Sequence, residues 1–211
     1  MVKQTVKELK YSLYVTVRPF KGFWEIKHEG EGSFRTAMLI LAALVLATAL
    51  SPFFTEWLFV PYRSLRGYNV FLALLTYASL FFAWCVSNWC FTCLSDGEGT
   101  LKDICTVSAY AMVPLLIVTV TRIVLSHFFV IGEKPLYDLI GSAGVIWTAM
   151  LLVFGILVAH QYTLLKTLAV CFATLCGMVI MAYIGLLFTN LVAEILVFFT
   201  VLFDEIRQFR Y

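Results

Sequence analysis

The sequence predicts an all-α integral membrane protein: a bundle of five transmembrane helices with amphipathic interfacial helices at both ends. Of its 211 residues, 62% are hydrophobic and 13% are charged, whereas soluble domains average roughly 45–50% apolar and about 25% charged residues. With a mean hydropathy of +0.92, a chain this short cannot bury its apolar surface in a core of its own. This composition excludes disordered proteins and disulfide scaffolds, and the net charge of +2 excludes nucleic-acid binders.

Residues 1–34 are predicted to form two short helices at the membrane interface. Apolar side chains recur at helical spacing at Val2, Val6, Leu9 and Leu13. Lysines lie beside them, as in a helix on an anionic leaflet. Pro19 then opens a second helix, from which Phe23 and Trp24 dip into the interface while charged side chains face water. The segment is either an anchor that tilts the chain into its first span or a docking element for a partner.

Five spans are predicted within a membrane domain formed by residues 35–189. They cover residues 37–54, 70–94, 104–130, 139–159 and 167–189. The third span contains Arg122, about 27 Å along the helix, where a guanidinium can reach the far headgroups. Pro114 is expected to kink the same span, and Asn88 is expected to form a hydrogen bond between helices.

The apolar run that begins at Thr167 continues to Phe203, interrupted by Glu194 alone. One helix over this run would measure about 55 Å, far more than the roughly 30 Å of a hydrocarbon layer. We therefore predict a fifth span that ends near Thr189 and an amphipathic interfacial helix over residues 190–211. A sixth crossing is the alternative.

Basic residues are unevenly divided between the two sides of the predicted bundle. Nine of them lie before the first span or in the loops on the same side: Lys3, Lys7, Lys10, Arg18, Lys21, Lys27, Arg35, Lys102 and Lys166. The loops on the opposite side contain Arg63, Arg66 and Lys134. Because short loops rich in Lys and Arg remain in the cytoplasm, the amino terminus is predicted to be cytoplasmic.

The least generic polar residues fall in three segments on that side, at 18–29, 97–103 and 160–166. Thr100 and Asp103 form an approximate capping box that starts the third span. His160 ends a helix, where capping is favoured over catalysis, and a metal site at this face lacks the usual ligand spacing. The predicted partner-binding surface consists of Trp24, Glu25, His28, Glu98, Lys102, Asp103 and His160. No catalytic residue, metal or cofactor is predicted.

Small residues recur at every fourth position on two spans. They are Ala43 and Ala47 on the first, and Ala169, Ala173 and Gly177 on the fifth. Such stripes allow helices to approach closely, either inside one bundle or between copies of the chain. All six cysteines fall within or beside the spans, so neither disulfides nor a zinc site at Cys90 and Cys93 is expected.

A resemblance to a known family rests on the same three segments. Its motifs run from Arg18 to Glu29, from Gly97 to Asp103 and from His160 to Lys166, with Tyr110 and Pro114 early in the third span. Over roughly residues 11–190 the chain resembles the Yip family (Ypt/Rab-interacting-protein domain) of five-span membrane proteins, in its bacterial branch. The resemblance implies a cytoplasmic amino terminus and a role in binding other proteins.

The two branches of that family imply different partners. Eukaryotic members bind small GTPases of the Rab/Ypt type and act in vesicle trafficking and membrane shaping. This sequence lacks their long acidic amino-terminal region and their Asp-Leu-Tyr-Gly-Pro signature. Some bacterial relatives occur beside components of carbohydrate ABC importers, which implies an accessory role beside such permeases in the plasma membrane.

The function that we expect is that of a non-catalytic membrane adaptor or accessory subunit, whose cytoplasmic face docks a partner complex. No Walker sequence, nucleophile elbow or metalloprotease motif points to an enzyme. The alternative is a transporter or channel component that moves a small solute itself, with Arg122 and Asn88 as its intramembrane polar residues. A second alternative is a membrane-shaping or trafficking factor that acts through its amphipathic ends.

Overall fold

The structure, a computed structural model, describes residues 2–60, 67–95 and 97–208. Its helices are α1 (Val2–Val17), α2 (Pro19–His28), α3 (Phe34–Phe54), α4 (Val70–Leu94), α5 (Leu101–Ala111), α6 (Val113–Ser126), α7 (Lys134–His160) and α8 (Leu164–Gln208). A 3-10 turn, Ile131–Glu133, precedes α7. Among the described residues, five helical stretches are long and apolar enough to cross a membrane. The predicted all-α, five-span membrane fold is confirmed.

Short polar side chains start three of the spans. The Ser33 hydroxyl accepts the Thr36 N–H at the start of α3, and the Asn69 side chain accepts the Leu72 N–H at the start of α4. At the start of α5, Thr100 and Asp103 form the reciprocal capping box that their spacing predicts. Each cap provides a partner for a backbone N–H that a helix leaves without one in its first turn.

The third span is broken into α5 and α6 at Met112. Pro114 has no N–H to donate to the carbonyl of Tyr110, so the helical ladder cannot continue through it. The Met112 N–H turns to the carbonyls of Ala109 and Tyr110 instead. The result is the kink that Pro114 predicts, placed in the most buried of the five candidate spans.

The last helix, α8, is continuous from Leu164 to Gln208. The sequence predicts a span that ends near Thr189 and a separate helix after it, but the structure has no break at Asn190. Neither Pro nor Gly occurs between Gly185 and Gln208, so nothing in the sequence interrupts the backbone ladder. Of residues 179–202, all of them described, none is buried. Among the residues of α8 whose burial is described, those packed on the bundle therefore lie in its first half.

The core lies towards the end of the bundle that carries the amino terminus. In α5 every residue from Ile104 to Ala111 is buried, and α5 packs against α3, α4 and α7. Phe23 was predicted to dip into the membrane interface, but its side chain is fully buried beside Gly155 of α7. A Cβ at Gly155 would lie 2.3 Å from Val107 Cγ1 of α5, so this glycine allows α7 to approach α5 closely beside the ring. Because the Phe23 ring is buried among these helices, α2 is held by protein rather than by lipid.

The small-residue stripes coincide only partly with the packing faces. Ala43 and Ala169 are exposed, and Ala47 and Ala173 are half-buried. Gly177 does lie at a close approach, because a Cβ there would lie 2.3 Å from Ser87 Oγ of α4. The residues that α8 buries are Thr167, Val170 and Thr174. The face of α8 that contacts α4 therefore carries the buried threonines and Gly177. This face is rotated about the helix axis from the one that carries the predicted alanines.

Candidate functional site

The amino-terminal face is the end of the bundle formed by α1, α2 and the links 97–100 and 161–163. Hydrogen bonds of Glu8 and Tyr11 hold α1 against its neighbours there. The Glu8 carboxylate is buried and accepts hydrogen bonds from the hydroxyls of Ser33 and Thr36. The Tyr11 hydroxyl donates to Glu25 Oε2 of α2 at 2.6 Å. These contacts leave Leu13, on the other side of α1, exposed.

Two side chains of α1, Tyr11 and Lys7, are hydrogen-bonded to carboxylates that favour their protonated forms. Burial and the hydrogen bond to the Glu25 carboxylate raise the pKa of Tyr11. Lys7 donates to the Glu31 carboxylate at 2.9 Å, and this hydrogen bond raises the pKa of Lys7. Because the Lys7–Glu31 pair is exposed, its contribution to stability is small.

His160, at the end of α7, lies beneath the link that precedes α5. Its Nδ1 accepts the Gly99 N–H at 3.1 Å, and the residue is 2% exposed. A Cβ at Gly99 would lie 2.6 Å from His160 Cε1, and a Cβ at Gly97 would lie 2.6 Å from His160 Nδ1. The two glycines are therefore required so that the link can pass over the imidazole. The sequence predicts His160 as part of the partner-binding surface. In the structure it is not part of that surface, because it lies beneath the link and supports the face from below.

Four further contacts tie the same links together. The Tyr162 hydroxyl donates to the Ser95 carbonyl at 3.1 Å, and Lys166 Nζ donates to that carbonyl at 2.6 Å. The Tyr162 ring stacks on His160, with 5.3 Å between ring centroids. Lys27 of α2 donates through its ammonium group to the Ala159 carbonyl. The structure thus brings together all three polar segments that the sequence singled out.

The seven predicted surface residues divide into two groups. Trp24, His28, Glu98 and Lys102 are exposed. The Trp24 and His28 rings stack at 3.8 Å between centroids, and Trp24 is 48% exposed. The other three make contacts within the protein: the half-buried Glu25 accepts a hydrogen bond from Tyr11, the half-buried Asp103 caps α5, and the buried His160 lies under Gly99. Among the described residues, no group of three His, Cys, Asp or Glu side chains could hold a metal ion.

The family model for the Yip1 domain matches residues 13–187. The chain belongs to the Yip1 domain family. The match confirms the resemblance that the three polar segments indicate, and all three segments lie within the matched residues 13–187. Comparison with curated proteins and with solved structures gives no match. Family membership and the five candidate spans together establish a multi-pass membrane protein whose helices contact lipid.

At the opposite end of the Yip1 domain a second polar feature surrounds Arg122. A cavity of about 240 Å³ lies between α3, α6 and α7, and Arg122 lines it together with Ser51, Thr119 and Tyr137. The guanidinium lies 4.2 Å above the centre of the Tyr137 ring and 3.5 Å from Asp138 Oδ1. Arg122 therefore has an aromatic and an acidic partner at the far end of the domain.

Asn88, the other intramembrane polar candidate, joins two helices of the Yip1 domain. It is fully buried, and its Nδ2 donates to Thr174 Oγ1 of α8 at 3.1 Å. The neighbouring Ser87 hydroxyl donates to the Thr174 carbonyl at 2.8 Å. Asn88 thus forms the interhelical hydrogen bond predicted from the sequence, and it does not line the Arg122 cavity.

Sequence reasoning missed several residues that build the amino-terminal face of this Yip1 domain. Lys27, Tyr162 and Lys166 hold the links in place, and Glu8 anchors α1. One signal was present in the sequence: a carboxylate among the lysines of α1, on the side away from its exposed leucines, indicates a polar partner inside the protein. The contacts of the other three depend on tertiary structure and have no local signature.

Proposed function

We propose that this Yip1-domain protein is a non-catalytic adaptor of the plasma membrane, whose amino-terminal face lies in the cytoplasm and docks a membrane-protein complex. The permeases of carbohydrate ABC importers are the partner class that we favour, in line with the resemblance described above. The observation that carries the proposal is the exposed Trp24–His28 pair on α2, at the end of the bundle that also exposes the charged side chains of Glu98 and Lys102.

The chemistry of these four side chains suits protein recognition. An exposed tryptophan offers a large rigid apolar surface and one hydrogen-bond donor, and tryptophan is enriched at the centres of protein interfaces. A neighbouring acid and base can define the orientation of a partner through complementary charges. Stacking against His28 restricts the Trp24 ring, so less conformational entropy is lost on binding.

The supporting contacts make the face rigid before any partner arrives. Lys27 ties α2 to the end of α7, and His160 together with Tyr162 ties the 97–100 link to the same place. A preorganised surface of this kind binds more tightly than one that must order on binding. We infer that the buried polar residues serve the exposed ones by maintaining their relative positions.

The direct test is purification of the full chain from its native membranes in mild detergent, followed by mass spectrometry. The Trp24→Ala/Glu98→Lys double variant removes the exposed ring and reverses one charge without touching the capping box. Loss of a central tryptophan costs roughly 2 kcal/mol in many interfaces. We therefore expect recovery of a specific partner to fall by at least about tenfold.

The matched control makes the same two changes at the other end of the molecule, in a Trp57→Ala/Glu205→Lys variant. Trp57 is 75% exposed, and Glu205 is exposed near the end of α8. The proposal requires this control to retain the partner. Equal recovery of every copurifying protein from both double variants and from the wild type would contradict it.

A transporter is the second candidate, and the Arg122 cavity favours it. A cationic side chain within a polar cavity can bind an anionic or hydroxylated solute. The test is solute flux in vesicles that contain the purified protein. Flux that Arg122→Ala abolishes would support transport, whereas Asn88→Ala is expected to act through stability. No flux in wild-type vesicles would argue against this candidate.

Membrane shaping is the third candidate, and it rests on the two sides of α1. Leu9 and Leu13 are exposed, while Ser12 and Val15 are buried against the rest of the protein. An apolar stripe held at the interface can displace headgroups and bend a bilayer. Deletion of residues 2–17 tests this role: the candidate requires that vesicle remodelling is lost while the five spans remain folded.

A further inference from the structure

A polar cavity separate from the exposed Trp24–His28 pair lies where α2, α3 and α5 meet on the amino-terminal face. Its volume is about 270 Å³, and we call it the α2–α3–α5 cavity. Its polar walls include Lys27, Ser33, Lys102 and Asp103, and its apolar walls include Ile26 and Phe34. The hydrogen bond to the Ala159 carbonyl accounts for Lys27, but no contact described above involves the ammonium group of Lys102.

The charges of the cavity favour an anion. Lys27 donates one hydrogen bond to the Ala159 carbonyl, which leaves two N–H donors of its ammonium group. Lys102 is exposed and, within the part of the chain that the structure describes, its ammonium has no hydrogen-bond or ion-pair partner. Asp103 is committed to the capping box, where Oδ2 accepts from the N–H and the hydroxyl of Thr100. Two cations therefore face one carboxylate that is already hydrogen-bonded.

The amino-terminal ends of two helices add to the preference of the cavity for an anion, although the lysines favour an anion without them. Phe34, the first residue of α3, and Lys102, the second residue of α5, both line the cavity. The amino-terminal ends of helices carry partial positive charge and N–H groups that have no partner within the helix. Two such ends, those of α3 and α5, line this one cavity.

The position of the cavity identifies the source of the anion. α3 and α5 begin the first and third candidate spans, so their first residues lie at the level of the lipid headgroups. Phe34, which is 38% exposed and lines the cavity, can contact the glycerol and upper acyl region of a lipid. A free anion would use the lysines but not this apolar side chain.

We propose that the α2–α3–α5 cavity binds the phosphate of an anionic lipid headgroup, with Lys27 and Lys102 as its cationic ligands. The lipid comes from the leaflet on the amino-terminal side of the membrane. This inference goes beyond the proposed adaptor function and does not depend on it, since the site uses a lipid and not a protein partner.

The experiment measures lipid binding to the purified full chain in a neutral detergent by native mass spectrometry. The probes are phosphatidic acid, phosphatidylcholine and inorganic phosphate, each titrated separately, and inorganic phosphate is also used as a competitor. A basic residue near a membrane surface contributes about 1 kcal/mol to attraction for anionic lipid. We therefore expect Lys102→Gln to raise the dissociation constant for phosphatidic acid about fivefold, because a loss of about 1 kcal/mol of binding free energy corresponds to that factor.

The control is Lys10→Gln, which removes an exposed lysine of α1 on the same face but outside the cavity. Lys10→Gln and the conservative Lys102→Arg are expected to bind phosphatidic acid like the wild type, and unliganded Lys102→Gln is expected to melt at the wild-type temperature. Equal weakening by Lys10→Gln and Lys102→Gln, or equal binding of phosphatidylcholine and phosphatidic acid, would overturn the proposal. Inorganic phosphate that binds as tightly as phosphatidic acid would overturn the lipid assignment.

Discussion

The imidazole of His160 and the backbone of Gly99 meet 61 positions apart in the chain, where Nδ1 accepts the Gly99 N–H at 3.1 Å. Because Nδ1 acts as the acceptor, the neutral ring carries its proton on Nε2. The same approach excludes any side chain at Gly99. This contact joins the end of the fourth span to the start of the third, and so connects two of the three segments that form the amino-terminal face.

Gly99→Ala is expected to destabilise the protein by about 1–3 kcal/mol, because the new methyl group would overlap the His160 ring. The neighbouring atoms belong to a buried ring that has no room to move away. Thermal or denaturant unfolding in detergent measures the effect. Gly132→Ala is the control, because a Cβ at Gly132 would have no atom within 4 Å. Equal unfolding midpoints for the two variants would show that the close approach is absent.

Tyr11→Phe is expected to lower the free energy of unfolding by about 1 kcal/mol at pH 7, since it removes the hydrogen bond to Glu25. The difference should depend on pH. The pKa of Tyr11 is raised in the folded state above the ordinary value of 10.0, so folding binds its proton more tightly. This stabilisation is fully present below pH 10 and is lost as the pH rises through the folded-state pKa.

The measurement for Tyr11 is the free energy of unfolding of wild type and Tyr11→Phe between pH 7 and pH 11. Taking the difference between the two proteins cancels the titration of all other groups that behave alike in both. The wild type should lose its advantage over the variant above about pH 10. A difference that stays constant across this range would contradict the assigned hydrogen bond.

Asn88→Ala is expected to destabilise the contact between α4 and α8 by roughly 0.5–2 kcal/mol, because the bond to Thr174 is lost within the membrane. A double-mutant cycle with Thr174→Val isolates the coupling between the two side chains. We expect the double variant to be more stable than the sum of the single effects predicts. Strict additivity would show that the two residues do not interact.

The features that were predictable from the sequence have local causes. Long uncharged runs gave the five spans because each must match the thickness of the bilayer. The capping box at Thr100 and Asp103 and the kink at Pro114 follow from the hydrogen bonds that neighbouring residues can or cannot make. The three polar segments were likewise visible as motifs, and the family match now includes all of them.

The features that were missed depend on tertiary packing. Whether Phe23 meets lipid or protein depends on α7, more than a hundred residues away, where the ring lies beside Gly155 at its close approach to Val107. The alanine stripes had the right spacing, but spacing alone does not say which face of a helix meets a neighbour, and the exposure of Ala43 and Ala169 illustrates this. The sequence assigns His160 to the surface because the least generic polar residues fall on one side of the membrane, whereas in the structure two glycines leave room for the 97–100 link to cover it.

Site-specific photocrosslinking in native membranes tests the docking role of the amino-terminal face most directly. A photoreactive amino acid at position 98 is compared with one at position 205, because Glu98 and Glu205 are both exposed but lie at opposite ends of the molecule. The predicted result is a discrete adduct with one membrane protein from position 98, absent from position 205 and lost when Trp24→Ala is added. No adduct from position 98, or the same adducts from both positions, would contradict a docking role for this face.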